Sequence, residues 1–268
     1  MGKLWEKIGE EDRVPQSWIK QKVVWIPKPK KNANLAKHRR GITLLDSGAK
    51  IYYSWLQRRM SSHMQTKWRS DSYGAIQGRG VGHALTKVLG VRSTLHKAKV
   101  PSASFLGDAI KAFDRVKRSK CMKKCLNKLS SSESEKELAN RLVVRHQEII
   151  AVTEVGGSKL EMQVDEGVAQ GDPLGPPVYV VGYEGTLENI DEIRVPAENF
   201  VLPFKLPQTE EATDMSRTLF VDDHFEIHVL DCGNDVDLIK QRVRDIVEPI
   251  IQAQSEWGID SGRDKTVI

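Results

Sequence analysis

The stretch Thr218-Leu219-Phe220-Val221-Asp222-Asp223-His224-Phe225-Glu226-Ile227-His228-Val229-Leu230 decides how the rest of the chain is read. Two β-like runs, Thr218–Val221 and His224–Leu230, flank an adjacent pair of acids, which is the pattern of a hairpin with Asp222-Asp223 at its tip. Neighbouring carboxylates repel each other, and that cost falls where a divalent cation is held. Far upstream, Ser104-Phe105-Leu106 reads as a short strand ending at Asp108. If Asp108 approaches the hairpin tip, three carboxylates can hold two hard cations about 3.5–4 Å apart, flanking a phosphoryl group in an in-line displacement. Taken singly, an Asp-Asp pair is an ordinary solvated turn and an Asp after a strand is an ordinary helix cap.

Moving outward, helical spacing marks Ser47–Gln65 (Ile51, Trp55, Leu56, Met60, Met64), about 83–97, Phe113–Leu129, 135–150 and 235–256. In the fourth of these, Leu138, Leu142, Val143 and Ile149 are expected inward. In the last, Asn234 is the expected N-cap, Gly258 the terminator and Pro249 a kink. Val23-Val24-Trp25-Ile26-Pro27 reads as a strand. Ala151–Val155 and Lys159–Val164 flank Gly156-Gly157 as a second hairpin. Hairpins rather than regular βαβ units predict an α+β fold. Residues 1–17 read as a polar lead-in and 191–216 as irregular.

The 268 residues are 39% hydrophobic and 29% charged, too apolar for disorder. No apolar run is long enough to cross a bilayer, and no secretory h-region opens the chain, so membrane and secreted classes are excluded and a cytoplasmic or nuclear location is expected. Three cysteines without a CxxC exclude a disulfide framework or a cysteine zinc site. Residues 1–128 carry 29 Lys+Arg and 8 Asp+Glu, a balance of +21, whereas 129–268 carry 12 and 28, a balance of −16. The basic half predicts a polyanionic partner, nucleic acid first.

In order along the chain, these residues resemble the reverse transcriptases, especially those of non-LTR retrotransposons. Val24-Trp25-Ile26-Pro27-Lys28-Pro29-Lys30 with Arg40-Gly41-Ile42-Thr43-Leu44-Leu45 is similar to the family's fingers motif. Tyr73-Gly74 through Gly78-Arg79-Gly80 and His83-Ala84-Leu85 resembles the segment ahead of the palm. Asp108–Asp114 resembles the first catalytic motif, Gly167-Val168-Ala169-Gln170-Gly171-Asp172-Pro173-Leu174 the template-gripping motif, and Phe220-Val221-Asp222-Asp223 the metal-binding hairpin. Trp257-Gly258 to Lys265 resembles the motif that follows. Gly41, Gly107 and Gly175 stand where the family usually has proline, a larger apolar residue and serine.

The resemblance implies a right-hand polymerase, with fingers at about 18–100 and 130–165 and an antiparallel palm with packed helices at about 101–129 and 166–268. The family places its thumb next, and with Ile268 just past Lys265 a thumb is expected to be absent from this chain. It implies RNA-directed DNA polymerase activity on an RNA template with a DNA or RNA primer and dNTPs. Two Mg²⁺ ions, with Mn²⁺ as substitute, would lie on Asp108, Asp222 and Asp223. Lys28 and Arg40 would reach the incoming triphosphate. Phe113 would stack under the sugar and refuse a 2′-hydroxyl. Gln170 and Gly171 would line the template–nucleotide pocket, and Lys265 would protonate the departing diphosphate. The alternatives are an inactive retroelement remnant that binds RNA and an RNA-dependent RNA polymerase.

Overall fold

A computed structural model describes residues 2–32, 34–35, 38–194, 200–205 and 212–261. The elements run α1 (Gly2–Glu11), α2 (Gln16–Ile19), β1 (Lys20–Pro27), β2 (Arg39–Leu44), α3 (Ser47–Met64), α4 (Val81–Lys97), β3 (Ser102–Ile110), α5 (Ala112–Arg115), α6 (Arg118–Lys128), α7 (Glu133–Gln147), β4 (Ile150–Val155), β5 (Ser158–Gln163), α8 (Gly175–Ile193), β6 (Pro203–Lys205), β7 (Ala212–Asp214), β8 (Arg217–Phe220), β9 (Asp223–Val229), α9 (Val236–Glu256) and β10 (Asp260–Ser261). They fall into two compact units, residues 1–67 with 113–182 and residues 68–112 with 183–268. No helix among the described residues is long and apolar enough to cross a membrane.

The first unit is built on a four-stranded sheet in the order β2-β1-β4-β5. The β1–β2 and β4–β5 pairs are antiparallel, but β1 and β4 run parallel, with Gln21 opposite Ala151. That parallel pair joins strands over a hundred residues apart, a non-local choice that neither strand's own sequence carries. Gly156 and Gly157, at φ +59° and +81°, form the predicted two-residue turn.

Helix α3 spans the predicted stretch, but its buried face is set by Tyr52 and Tyr53 in place of Ile51, which is 49% exposed. Asp46 caps it by accepting from the Gly48 and Ala49 amides, and Tyr52, Tyr53, Leu56, Met60 and Met64 are fully buried. Each such side chain contributes about 1.5–3 kcal/mol by leaving water. Trp5, Trp18 and Trp55 close round Tyr52 at centroid distances of 5.4–5.8 Å. Trp5 lies on α1, so the stretch read as a polar lead-in begins with an amphipathic helix. The predicted helix over 113–129 is two, α5 and α6, separated at Val116-Lys117.

The second unit holds an antiparallel sheet in the order β10-β3-β9-β8. On one face Ile227 packs with Val91 and Leu95 of α4 and with Leu202. On the other, His224 meets Tyr183 of α8, which Gln254 of α9 also holds. Asp235, not Asn234, caps α9, and the helix runs on through the buried Pro249. The segment read as irregular contains a small hairpin, β6–β7.

His146 on α7 occupies a buried place that the pattern assigned to apolar residues. Its Nδ1 lies 2.7 Å from the Leu142 carbonyl. Burial, reinforced by the nearby Arg145 charge, pulls its pKa down from 6.5 to about 4. The unfolded chain therefore binds a proton that the folded chain refuses. The associated stability is full above pH 6.5 and is lost as pH falls towards 4, by roughly 3 kcal/mol. Urea unfolding at pH 7, 5.5 and 4 is expected to show this loss, and His146→Gln to flatten the dependence across that window.

Candidate active site

The hairpin of β8 and β9 closes on the pair Phe220–Asp223, leaving Val221-Asp222 as its two-residue turn. The turn thus sits one residue earlier than the Asp222-Asp223 tip expected from sequence, and Asp223 opens β9. Val221 takes φ +60°, a left-handed value that a β-branched residue adopts at a cost of about 1–3 kcal/mol. Neighbouring backbone braces it. The Tyr73 amide donates to the Leu219 carbonyl at 2.9 Å and the Leu219 amide to the Asp71 carbonyl at 2.8 Å. This lays residues 71–74 alongside β8. A Cβ on Gly74 would stand 2.4 Å from the Val221 nitrogen, so only glycine lets the chain lie this close.

Strand β3 does not stop at Asp108, as expected, but continues to Ile110. It pairs with β9 so that Leu106 faces Phe225, Gly107 faces His224 and Asp108 faces Asp223. Directly opposed residues project to one side of an antiparallel pair. Asp108 and Asp223 therefore share a sheet face, with Asp222 in the adjoining turn. The face is open there: Asp223 is exposed, Asp108 and Asp222 are half-buried, and Leu106 is 47% exposed. All three donors are carboxylates, the oxygen ligands that hard divalent cations prefer. Among the described residues, no group of three or more His, Cys, Asp or Glu is gathered closely enough to hold a metal ion. The three acids thus share a strand register and a turn, not a preformed cage.

Behind this edge lies a charged cluster that the sequence reading missed. His224, Glu226 and His228 alternate along β9 toward the side opposite Phe225 and Ile227, and all three are buried. Glu226 Oε1 accepts from Arg217 Nε at 2.7 Å and pairs with His224 Nε2 at 3.0 Å. Its Oε2 meets Arg194 Nη2 at 2.7 Å and His228 Nε2 at 2.8 Å. Burial pushes the Glu226 pKa up, but Arg217 and the imidazoles outweigh it and hold the carboxyl well below its ordinary range. Arg217 reaches on to Asp191 at 2.9 Å, and Arg69 links Asp191 with Asp71. The available signal was three polar residues at period two inside a strand whose other face is apolar.

The remaining candidates among the described residues belong to the first unit. Lys28 is half-buried at the end of β1, and Arg40 lies exposed on β2, opposite Ile26. Phe113 stacks on Tyr179, with centroids 4.7 Å apart and planes 15° apart. The Gln170 carbonyl accepts from the Thr43 amide at 2.7 Å, and its side chain donates to Asp114 at 3.4 Å. Gly171, at φ +108°, lies against the Thr43 carbonyl, which a Cβ would approach to 2.4 Å. Lys265 lies outside the described residues.

Among solved structures, the chain is similar to apo telomerase from Candida tropicalis truncated from its C-terminal domain, with TM-score 0.59 and 15% identity over 99% of this chain and 54% of that one. Telomerase from Candida albicans, in complex with the TWJ fragment of telomeric RNA, matches with TM-score 0.59 and 14% identity over 99% and 46%. The Candida tropicalis enzyme in the corresponding complex gives TM-score 0.65 and 14% identity over 99% and 44%. The chain shares its fold with these telomerases. The chain spans about half the length of the telomerases it matches. No protein-family model matches it.

The segment Gln170-Gly171-Asp172 is tied to α7 by a buried ion pair, Arg145 Nη2 to Asp172 Oδ2 at 2.7 Å. Asp172 Oδ1 also accepts from the Leu174 amide, and the Arg145 guanidinium lies 4.2 Å from the Tyr53 ring centroid. Removing one partner leaves the other charge buried alone, so Arg145→Met is expected to cost about 3–5 kcal/mol in a denaturant titration.

Proposed function

We propose that the chain is an RNA-directed DNA polymerase that adds deoxynucleotides to a DNA or RNA primer on an RNA template. The observation that carries this reading is the register that sets Asp108 opposite Asp223 beside a strained turn holding Asp222. The telomerase likeness in fold supports it, and two of those neighbours were solved with RNA. The order of the sequence motifs supports a place among non-LTR-type retroelement enzymes.

On this reading the antiparallel sheet of the second unit is the palm and the mixed sheet of the first belongs to the fingers. Asp108 and Asp222 would be the main ligands of two Mg²⁺ ions, or Mn²⁺, with Asp223 supporting. Bound there, the ions would lower the pKa of the primer 3′-hydroxyl and steady the diphosphate. The residues do the rest by positioning. Arg40 presents a planar fork suited to phosphate oxygens, and Lys28 a point charge. Gln170 and Gly171 shape the template–nucleotide pocket through backbone that lies against β2. Lys265 is assigned the proton for the departing diphosphate. Phe113, held flat by Tyr179, has little freedom to move aside for a 2′-hydroxyl.

Primer extension with dNTPs on an RNA template tests the assignment. The wild-type chain is expected to extend, and Asp222→Ala to fall to background while keeping the wild-type unfolding midpoint. Equal behaviour of the two, or salt-sensitive RNA binding with no extension, would replace the polymerase reading with one of binding alone. Phe113→Val is expected to admit NTPs in the same assay by at least about tenfold, since a single steric contact of about 1.4 kcal/mol gives that factor. Wild-type preference for NTPs would instead identify an RNA-dependent RNA polymerase.

A further inference from the structure

Strand β8 is the outermost strand of the carboxylate sheet, so its outward backbone groups need partners from elsewhere. The chain just ahead of α4 supplies them. Both the amide and the carbonyl of Leu219 bond to this segment, through the Asp71 carbonyl and the Tyr73 amide, and Ser72 bridges Leu219 in parallel. The Arg217 carbonyl takes Lys87 Nζ of α4 at 2.6 Å. Asp71 and Ser72 are buried. The segment then reaches Gly74, whose backbone lies against Val221, the residue held at φ +60°.

One guanidinium ties this segment into its shape. Arg79 Nη1 donates to the Arg69 carbonyl and, at 2.6 Å, to the Ser72 carbonyl. The Arg79 amide donates to the Ile76 carbonyl at 3.1 Å. The loop from 69 to 79 is thereby closed on itself. Ala75 within it takes φ +55°, a left-handed value that local preference would not keep. Among the described residues Arg79 makes no ion pair; these donors serve the loop's own carbonyls.

A β-branched residue at positive φ persists only where its surroundings over-determine it. If the segment withdrew from β8, Val221 would be released from the left-handed region, and the turn would carry Asp222 with it. The place of Asp222 beside Asp108 and Asp223 is thus coupled to Arg79 through the backbone hydrogen bonds of residues 69–74.

We propose that Arg79 is a positioning residue: it locks residues 69–74 against β8 and so keeps the Val221-Asp222 turn in its strained form. Its consequence for turnover rests on the polymerase reading; the mechanical coupling of Arg79 to the turn does not.

The test uses the full chain with Arg79→Met, Arg79→Lys and Val221→Asn. An ammonium can also donate to two carbonyls, and asparagine accepts the left-handed region. Hydrogen exchange read by mass spectrometry, without substrate, is expected to quicken about tenfold over residues 217–224 in Arg79→Met and to stay unchanged in the β4–β5 hairpin. In primer extension Arg79→Met is expected to lower kcat about tenfold, with KM for dNTP and affinity for the primer–template within about twofold of wild type. Arg79→Lys should keep kcat within about threefold of wild type. In the Val221→Asn background, where the turn needs less bracing, Arg79→Met should cost less than about threefold. Unchanged exchange, unchanged kcat, or full additivity with Val221→Asn overturns the proposal. Weakened primer–template binding with kcat kept would make Arg79 a nucleic-acid contact and also overturn it. Should Arg79→Met not fold, Gly74→Ala attacks the same contact from the segment; normal exchange and normal kcat there overturn the proposal. Absence of extension in the wild type, with exchange quickened in Arg79→Met, sinks the polymerase reading and leaves the brace standing. Wild-type extension with no effect of Arg79→Met on exchange or kcat does the reverse.

Discussion

The pairing of β3 with β9 is the constraint on which the second unit depends. Side chains alternate along a strand, so a slip of one residue would turn every side chain of β9 to the other face. Glu226 makes that slip prohibitive. In the observed register its carboxylate sits among Arg217, Arg194, His224 and His228. After a slip it would enter the apolar layer of Val91, Leu95 and Leu202, and Phe225 and Ile227 would turn into the charged cluster. Replacing a buried ion network with apolar groups of matching shape can be neutral or stabilising. The network is therefore best understood as what fixes the register, and with it the place of Asp108 opposite Asp223.

The first unit uses the same device once more. Arg145 and Asp172 are both buried, and their pairing anchors the loop that carries Gln170 and Gly171. Arg145 also lies over Tyr53, in the aromatic cluster of α3, so the loop is referred to the best-packed part of the unit. In both units the segments of chemical interest are loops or strand ends, held by a buried charge pair a few residues away. Backbone hydrogen bonds alone would leave them free to drift.

Much of this was legible in sequence because it is local. Helix α3 declares itself through spacing, the β4–β5 hairpin through Gly156-Gly157, and the carboxylate hairpin through two β-like runs around its acids. The turn was displaced by one residue because Val221, unfavourable at positive φ, is forced there by the strand that Gly74 admits. The break at Val116-Lys117 and the parallel β1–β4 pair depend on tertiary packing. The three glycines that depart from the family pattern each mark a close approach. A Cβ on Gly41 would press on the Trp25 ring, on Gly107 on the Phe105 ring, and on Gly175 on the Ala169 carbonyl. The buried places of Arg145, His146 and Glu226 were unreadable for a different reason: a charged residue reveals its burial only through partners far off in sequence.

Folding also recasts the charge division. The chain halves differ by +21 against −16. The first unit carries 26 Lys+Arg and 15 Asp+Glu, a balance of +11, and the second 15 and 21, a balance of −6. The contrast is halved because the basic segment 68–112 folds with the acidic C-terminal half. There Arg69 pairs with Asp71 and Asp191, and Lys87 donates to the Arg217 carbonyl. The acidic excess of the C-terminal half is thus in part matched internally. What survives as an outward field is the positive balance of the first unit, the unit that carries Lys28 and Arg40. Attraction of a polyanion to that unit should weaken steeply with salt.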